Sequence, residues 1–185
     1  MPALETPPPA TGWQAPAFRL KGTDGKFYTP QEARGPQGLL VMFICNHCPY
    51  VQAVAAKLAR DAKELAGLGI GSIAVMANDV RDYPADSFEN MLKFKQEHGF
   101  PFPYVIDETQ AVAKAYGAVC TPDFFGFDAN LALQYRGRLD ASGPKCSEGG
   151  RRELFEAMRQ VAATGRAPDA QNPSIGCSIK WKAAA

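Results

Sequence analysis

Val41-Met42-Phe43-Ile44-Cys45-Asn46-His47-Cys48-Pro49-Tyr50-Val51 marks a change of pattern near the first quarter of the chain. Residues 38–44 form a continuous apolar run with the content of a buried strand. The run stops at a Cys-x-x-Cys. Beyond it Val51, Val54, Ala55, Leu58, Ala62 and Leu65 recur at helical spacing until Gly67 and Gly69 end the helix. Two cysteines three apart at a strand-to-helix junction can close a small disulfide ring or hold two free thiols. A helix N-terminus favours negative charge, and so favours the thiolate of the first cysteine, Cys45. A thiolate is the species that attacks disulfides, so the stretch predicts a dithiol redox centre.

On the amino-terminal side, residues 1–12 are rich in proline and predict a flexible, extended start. Ala17-Phe18-Arg19-Leu20 and Lys26-Phe27-Tyr28 flank a turn at Thr23-Asp24-Gly25, a hairpin, and 31–38 reads as a connection. On the carboxyl side, 70–77 is a second buried strand centred on Ile73, Val75 and Met76. A polar connection leads to a helix over 87–98 that Gly99 stops, then to a short strand over 102–106. Asp107 can cap a helix through Tyr116. Cys120-Thr121-Pro122 leads into Phe124-Phe125-Gly126-Phe127, Asp128-Ala129-Asn130 turns, and 131–136 returns as a partner strand. Leu154, Phe155, Met158, Val161 and Ala162 mark a last amphipathic helix.

Strands alternating with helices in this order predict an α/β domain with a central, partly parallel sheet covered on both faces. In the tail, Ile175, Cys177, Ile179 and Trp181 alternate with Gly176, Ser178, Lys180 and Lys182. That period of two predicts an extended segment laying one apolar face on the domain or on a partner subunit. The chain thus divides into a flexible start at 1–12, one domain at 13–164 and an extended tail at 165–185.

The 185 residues have room for one domain with a real core. Twenty basic residues against 19 acidic ones leave a net charge of +1, so no field draws the chain to nucleic acid or to an anionic membrane. The longest apolar run, 38–45, is too short to cross a bilayer. The first residues carry neither the basic start nor the apolar centre of a secretory signal, and a cytoplasmic location is expected. Five widely spaced cysteines do not look like a disulfide framework, so the Cys-x-x-Cys pair points to catalysis or metal binding.

Cys45-Asn46-His47-Cys48-Pro49 at a strand–helix junction resembles a thioredoxin-fold active site. Thr121-Pro122, opening a later strand, resembles the cis-proline loop that faces the disulfide in that fold. The N-terminal hairpin, the helix over 87–98 and the Asp128 turn resemble the peroxiredoxin branch, the alkyl hydroperoxide reductase/thiol-specific antioxidant and redoxin group. Asn46-His47-Cys48-Pro49-Tyr50-Val51 with the tail Ile175-Gly176-Cys177-Ser178-Ile179-Lys180-Trp181 is similar to the peroxiredoxin-like, thioredoxin-family proteins of bacteria.

The resemblance implies a thioredoxin fold with an N-terminal β-hairpin, a peroxiredoxin-type helix insertion and an extended C-terminal tail. It implies a thiol–disulfide oxidoreductase in which Cys45, at the exposed helix start, attacks and Cys48 resolves the mixed disulfide. His47 resembles the histidine before the second cysteine in protein disulfide isomerase. It would stabilise the Cys45 thiolate and make the potential less negative than thioredoxin's, which is about −270 mV. Thr121 and Pro122 would hold backbone beside the disulfide for an extended substrate. The substrate would be a protein or small-molecule disulfide, the electron donor of thioredoxin or glutathione type, and the protein a monomer or homodimer. No organic cofactor and no metal are implied.

Departures from these patterns define the alternatives. Leu39 stands where thioredoxin has a buried carboxylate, which leaves Asp79 and Asp123 as candidate proton acceptors or as solvated loop carboxylates. Ile44 replaces the tryptophan before the first cysteine. Aligned on peroxiredoxins, Cys48 falls at the peroxidatic position, so peroxide reduction is the second reading. There Cys45 replaces the hydroxyl residue, Val41 the proline, and Thr121 lies about where the arginine belongs, and such donors carry much of the rate. Zinc held by Cys45, Cys48 and two of His47, Cys146 and Cys177 is a third reading. A redox-inert module binding a peptide in the same cleft is a fourth. Cys120, near Pro122, and Cys177, if the tail folds over the site and exchanges with Cys45, are candidate additional thiols against a packing role. Cys146 reads as incidental, and Arg136-Gly137-Arg138 with Asp140 as a solvated strand end or a substrate contact.

Overall fold

The computed structural model describes residues 3–141 and 150–183; Cys146 lies outside them. The elements run β1 (Ala3–Glu5), β2 (Leu20–Gly22), β3 (Phe27–Tyr28), α1 (Pro30–Ala33), β4 (Gly38–Phe43), α2 (Pro49–Gly67), β5 (Ile70–Met76), α3 (Phe88–His98), β6 (Tyr104–Ile106), α4 (Ala111–Tyr116), β7 (Cys120–Thr121), β8 (Asp123–Asp128), β9 (Leu133–Tyr135), α5 (Glu153–Thr164) and β10 (Ile175–Ser178). A single 3₁₀ turn, Pro84–Asp86, precedes α3.

The central sheet is mixed. One ladder has the order β3-β2-β6-β5 and the other β4-β8-β9. They meet where β5 lies beside β4, with the Ile44 N–H donating to the Val75 carbonyl at 3.1 Å. β5 and β6 are parallel, whereas β2–β3, β2–β6, β4–β8 and β8–β9 are antiparallel. Successive strand residues face opposite sides, and both sides of β4 are covered. Leu40, Met42 and Ile44 join the core made with α2, α3 and α5, while Leu39, Val41 and Phe43 join the core on the α4 side. Burial on two faces is why the run is continuously apolar rather than alternating. Among the described residues, no helix is long and apolar enough to cross a membrane.

Local sequence explains the helix ends. Ser87 caps α3 by accepting from the Asn90 N–H, and Gly99, at φ 61°, closes it in the left-handed region. Gln110, not Asp107, is the N-cap of α4, but Asp107 reaches into the first turn and accepts from the Ala113 N–H at 2.8 Å. The connection over 31–38 holds one unforeseen turn of helix, α1. Thr29 and Glu32 form a reciprocal capping box there, and Pro30 sits at the first helical position.

The two ends of the chain differ from the sequence expectation. Residues 3–5, read as part of a flexible start, form β1 and pair with β10. β10 in turn pairs with β7, giving a second antiparallel sheet of order β1-β10-β7. The extended tail does pack on the domain, but its apolar side is buried only in the middle. Cys177 and Ile179 are covered, whereas Ile175 and Trp181 remain 41% and 42% exposed. Lys180, on the polar side of the pattern, is buried because main-chain bonds decide its place. Its N–H donates to Asn78 Oδ1, and its carbonyl accepts from the Asp79 N–H and Gln110 Nε2.

Candidate active site

β4 ends at Phe43, and α2 begins at Pro49 with Cys48 as its N-cap. Proline at the first helical position needs no main-chain donor and pre-sets the helical φ, so the helix starts immediately behind Cys48. The loop between is held from below by one carboxylate. Asp86 is fully buried; its Oδ1 accepts from the Asn46 N–H at 2.8 Å and the His47 N–H at 3.2 Å. Its Oδ2 lies 2.6 Å from His47 Nδ1 and accepts from Asn78 Nδ2 at 2.8 Å. Asn46 adds bonds to Ala85 O and Tyr104 Oη, and Gln52 Nε2 donates to Asn46 O. The His47 ring stacks on Tyr83, with centroids 5.4 Å apart.

Facing this loop is Thr121-Pro122, whose peptide bond is cis. Cys45 Sγ lies 3.4 Å from Thr121 Oγ1, and Cys48 Sγ 3.1 Å from the Thr121 carbonyl oxygen. The Cys45 and Cys48 thiols act on each other's protonation, and so do those of Cys48 and Cys177 of the tail, which pairs with Thr121. Three of the sulfurs predicted to matter therefore meet at one point. Cys120 is close in sequence to Pro122, but its sulfur turns to the Pro122 carbonyl at 3.6 Å. Burial, and then Asp123, push the Cys120 thiol far up, so it stays protonated.

The sequence placed Cys45 at an exposed helix start as the thiolate. The structure buries it: Cys45 is 1% exposed and Cys48 0%. The directions of the two pKa shifts also differ from that expectation, Cys48 being lowered and Cys45 raised. The Cys45 thiol, donating to Cys48, is the largest influence holding the Cys48 pKa well below the ordinary thiol range. Cys177, Thr121 and the Val51 N–H act the same way, and burial opposes them. Cys45 is pushed up by the adjacent Cys48, by burial and by Asp86. The two shifts run in opposite directions, and Cys48, at the N-cap of α2, is also the one the helix dipole favours as a thiolate.

The carboxylate candidates are also rearranged. Asp79 and Asp123 are buried rather than solvated, and each faces an arginine, Arg81 and Arg136 respectively. Arg136 is itself buried, on Asp123 and the Gly117 carbonyl, and Asp140 is buried against Lys57, so this strand end is not solvated. Asp86 was not singled out from the sequence. Ser87 as a helix cap was the available signal that residue 86 turns inward, but no spacing ties it to the cysteines. Among the described residues, ligand-type atoms of Cys45, His47 and Asp86 lie within 4.8 Å of one another. This set differs from the predicted zinc ligands, and protein donors already occupy both oxygens of its carboxylate.

The backbone expected to receive an extended substrate is taken by the chain's own tail. Cys177 pairs with Thr121 and Ser178 with Cys120 in antiparallel register. Ser174 Oγ donates to Pro122 O at 2.8 Å. Beside Pro122 a small apolar cavity of about 70 Å³ is bounded by Tyr50, Val54, Phe124, Ser174 and Ile175.

The sequence profile of the AhpC/TSA family matches residues 11–136. The chain belongs to the AhpC/TSA family. Among solved structures, this AhpC/TSA protein is similar to an uncharacterized conserved protein from Geobacillus kaustophilus. The two are 45% identical over 100% of this chain and 99% of that one, with a TM-score of 0.94. A hypothetical protein from Sinorhizobium meliloti 1021 is 36% identical over 97% of this chain and 99% of that one, with a TM-score of 0.90. The thioredoxin domain of a thiol-disulfide oxidoreductase from Bacteroides vulgatus, 18% identical, covers 83% of this chain and 98% of its own length at a TM-score of 0.64. That likeness establishes the thioredoxin fold. No protein of curated function matches the chain. Family membership supports a redox function for this AhpC/TSA protein.

Proposed function

We propose that the chain is a thiol–disulfide oxidoreductase that cycles Cys45 and Cys48 between dithiol and disulfide. The observation that carries this reading is the placement of the two cysteines: Cys48 caps α2, and both sulfurs meet the cis Thr121-Pro122 loop, Cys45 Sγ 3.4 Å from Thr121 Oγ1 and Cys48 Sγ 3.1 Å from the Thr121 carbonyl oxygen. The Cys48 thiolate attacks one sulfur of a substrate disulfide. A Cys48–substrate bond forms, the substrate S–S bond breaks, and the leaving sulfur departs as a thiolate that takes up a proton. Cys48 no longer carries charge at that point, so the largest influence holding the proton on Cys45 disappears. Cys45 loses its proton and attacks Cys48 Sγ. The Cys45–Cys48 disulfide closes, and the second substrate sulfur leaves. Two electrons pass to the substrate, and an external dithiol or glutathione-type donor returns them. The Asp86–His47 pair beside Cys45 is the candidate acceptor for its proton.

These roles are the reverse of those implied by the sequence resemblance. His47 is also not alone beside the thiols, because Asp86 lies 2.6 Å from its Nδ1. A potential raised by His47 therefore loses its electrostatic basis. A second reading, peroxide reduction at Cys48, draws support from the charge on that sulfur. Against it, Arg136 is engaged by Asp123 and Gly117 and is not free to polarise a peroxide.

The test is steady-state reduction of a short peptide disulfide by dithiothreitol. The intact protein should accelerate it, and Cys45→Ser and Cys48→Ser should each abolish the acceleration. Hydrogen peroxide consumption that outruns disulfide turnover and survives Cys45→Ser would establish the peroxidase instead.

A further inference from the structure

Cys177 lies 129 positions beyond Cys48 in sequence, yet it is paired with Thr121, whose carbonyl oxygen is 3.1 Å from Cys48 Sγ, and its thiol and that of Cys48 act on each other's protonation. Two independent attachments hold it there. β10 is paired on one side with β7, in the register Cys177–Thr121, and on the other with β1, in the register Cys177–Ala3. Further on, the tail is tied to the floor of the site through Lys180 N–H to Asn78 Oδ1 and Asn78 Nδ2 to Asp86 Oδ2. Cys177 shares the apolar core that contains Cys45 and Cys48. It is also the least covered of the three, at 8% exposure against 1% and 0%. Cys48 thus has a thiol on each side: Cys45 within its own motif and Cys177 toward the surface.

We propose that Cys177 is a third redox-active cysteine, which exchanges with Cys48 and carries the disulfide from the buried pair to the tail. The proposal rests on the dithiol reading above. It replaces the sequence expectation of exchange with Cys45, because the structure sets Cys177 against Cys48. Starting from the Cys45–Cys48 disulfide, Cys177 gives up its proton and its sulfur attacks Cys48 Sγ. The Cys48–Cys177 bond forms and the Cys45–Cys48 bond breaks. Cys45 leaves as a thiolate and takes up the proton that Cys177 lost. No electrons enter or leave, and the three sulfurs remain one disulfide and one thiol. A dithiol reductant then attacks Cys177 Sγ, on the least covered of these three residues, and its second thiol resolves that mixed disulfide. This returns two electrons and restores three thiols. Burial, and then Cys48, raise the Cys177 thiol to about 11, so Cys177 waits as a thiol.

The experiment oxidises the full-length protein with oxidised glutathione, quenches with acid, alkylates the free thiols and maps the disulfides by mass spectrometry. In Cys45→Ser the Cys48 thiolate attacks the glutathione disulfide, and Cys177 displaces glutathione from Cys48. The expected result is joint loss of label from Cys48 and Cys177, with Cys120 labelled throughout as the internal control. The intact protein should show a mixture of Cys45–Cys48 and Cys48–Cys177 disulfides. Folded Cys45→Ser that keeps Cys177 fully labelled, or stops at a Cys48–glutathione adduct, overturns the relay. Should that variant not fold, the map of the intact protein decides: absence of the Cys48–Cys177 disulfide at every glutathione ratio overturns it equally. An intact protein that forms Cys45–Cys48 but never Cys48–Cys177 loses only the relay. One that forms neither loses the dithiol reading as well.

Discussion

Asp86 accepts from two main-chain N–H groups, from the Asn78 amide and, on the same oxygen, meets His47, all while fully buried. Each donor left without an acceptor in such a place costs about 1–3 kcal/mol. Asp86→Ala should therefore lower the unfolding free energy in urea by at least about 2 kcal/mol. A change within about 0.5 kcal/mol, the usual range for a surface substitution, would mean that Asp86 does not hold the loop. The same residue shows where sequence reading stops. Cys45, Cys48, His47, Thr121 and Pro122 are visible because each belongs to a local pattern. Asp86 lies on a polar connection and is joined to Asn46 and His47 only by the folded chain. The burial of Cys45 was hidden for a related reason, since Thr121, whose hydroxyl its sulfur meets, lies 76 positions away.

β4 and α2 were legible as elements because two-sided burial makes a continuous apolar run and helical spacing repeats across five turns. The tail was half legible. Its period of two foretold an extended segment, but not that β10 would pair with β7, because that depends on how closely two backbones approach. Gly176 makes the approach possible: a Cβ there would lie 2.1 Å from the Thr121 carbonyl oxygen and 2.5 Å from its carbon. Gly176→Ala should push β10 off β7. Overpacking of this kind costs about 1–3 kcal/mol, so local opening and the iodoacetamide labelling of Cys48 should rise about tenfold or more. Unchanged labelling would mean that the tail does not control access to the thiols.

At the scale of the whole molecule, a thioredoxin fold brings the strand–helix junction against the cis-Pro loop, and a terminal sheet of β1, β10 and β7 closes over both. The fold class was legible from the alternation of strands and helices together with two motifs far apart in the chain. The terminal sheet was not, since residues 3–5 carry no strand signal among so many prolines. With Cys48 lowered and Cys45 raised, the proposed cycle has the dithiol hold one proton instead of two near neutrality. Cys48, depressed to about 4 from an ordinary 9.0, contributes stability to the reduced protein that is complete above pH 9 and is lost as the pH falls toward 4. Cys45, raised, contributes in the opposite sense, fully present below pH 9 and lost only above its own high value. Between the two, reduction of the disulfide takes up two electrons and a single proton. The most direct measurement is the midpoint potential of Cys45–Cys48 in glutathione buffers, followed by thiol labelling at several pH values around neutrality. A single two-electron transition whose midpoint falls by about 30 mV per pH unit is the predicted result. A slope of about 59 mV, the mark of two protons, would contradict the thiol–thiolate pair. Failure of Cys45 and Cys48 to oxidise together would contradict the dithiol cycle itself.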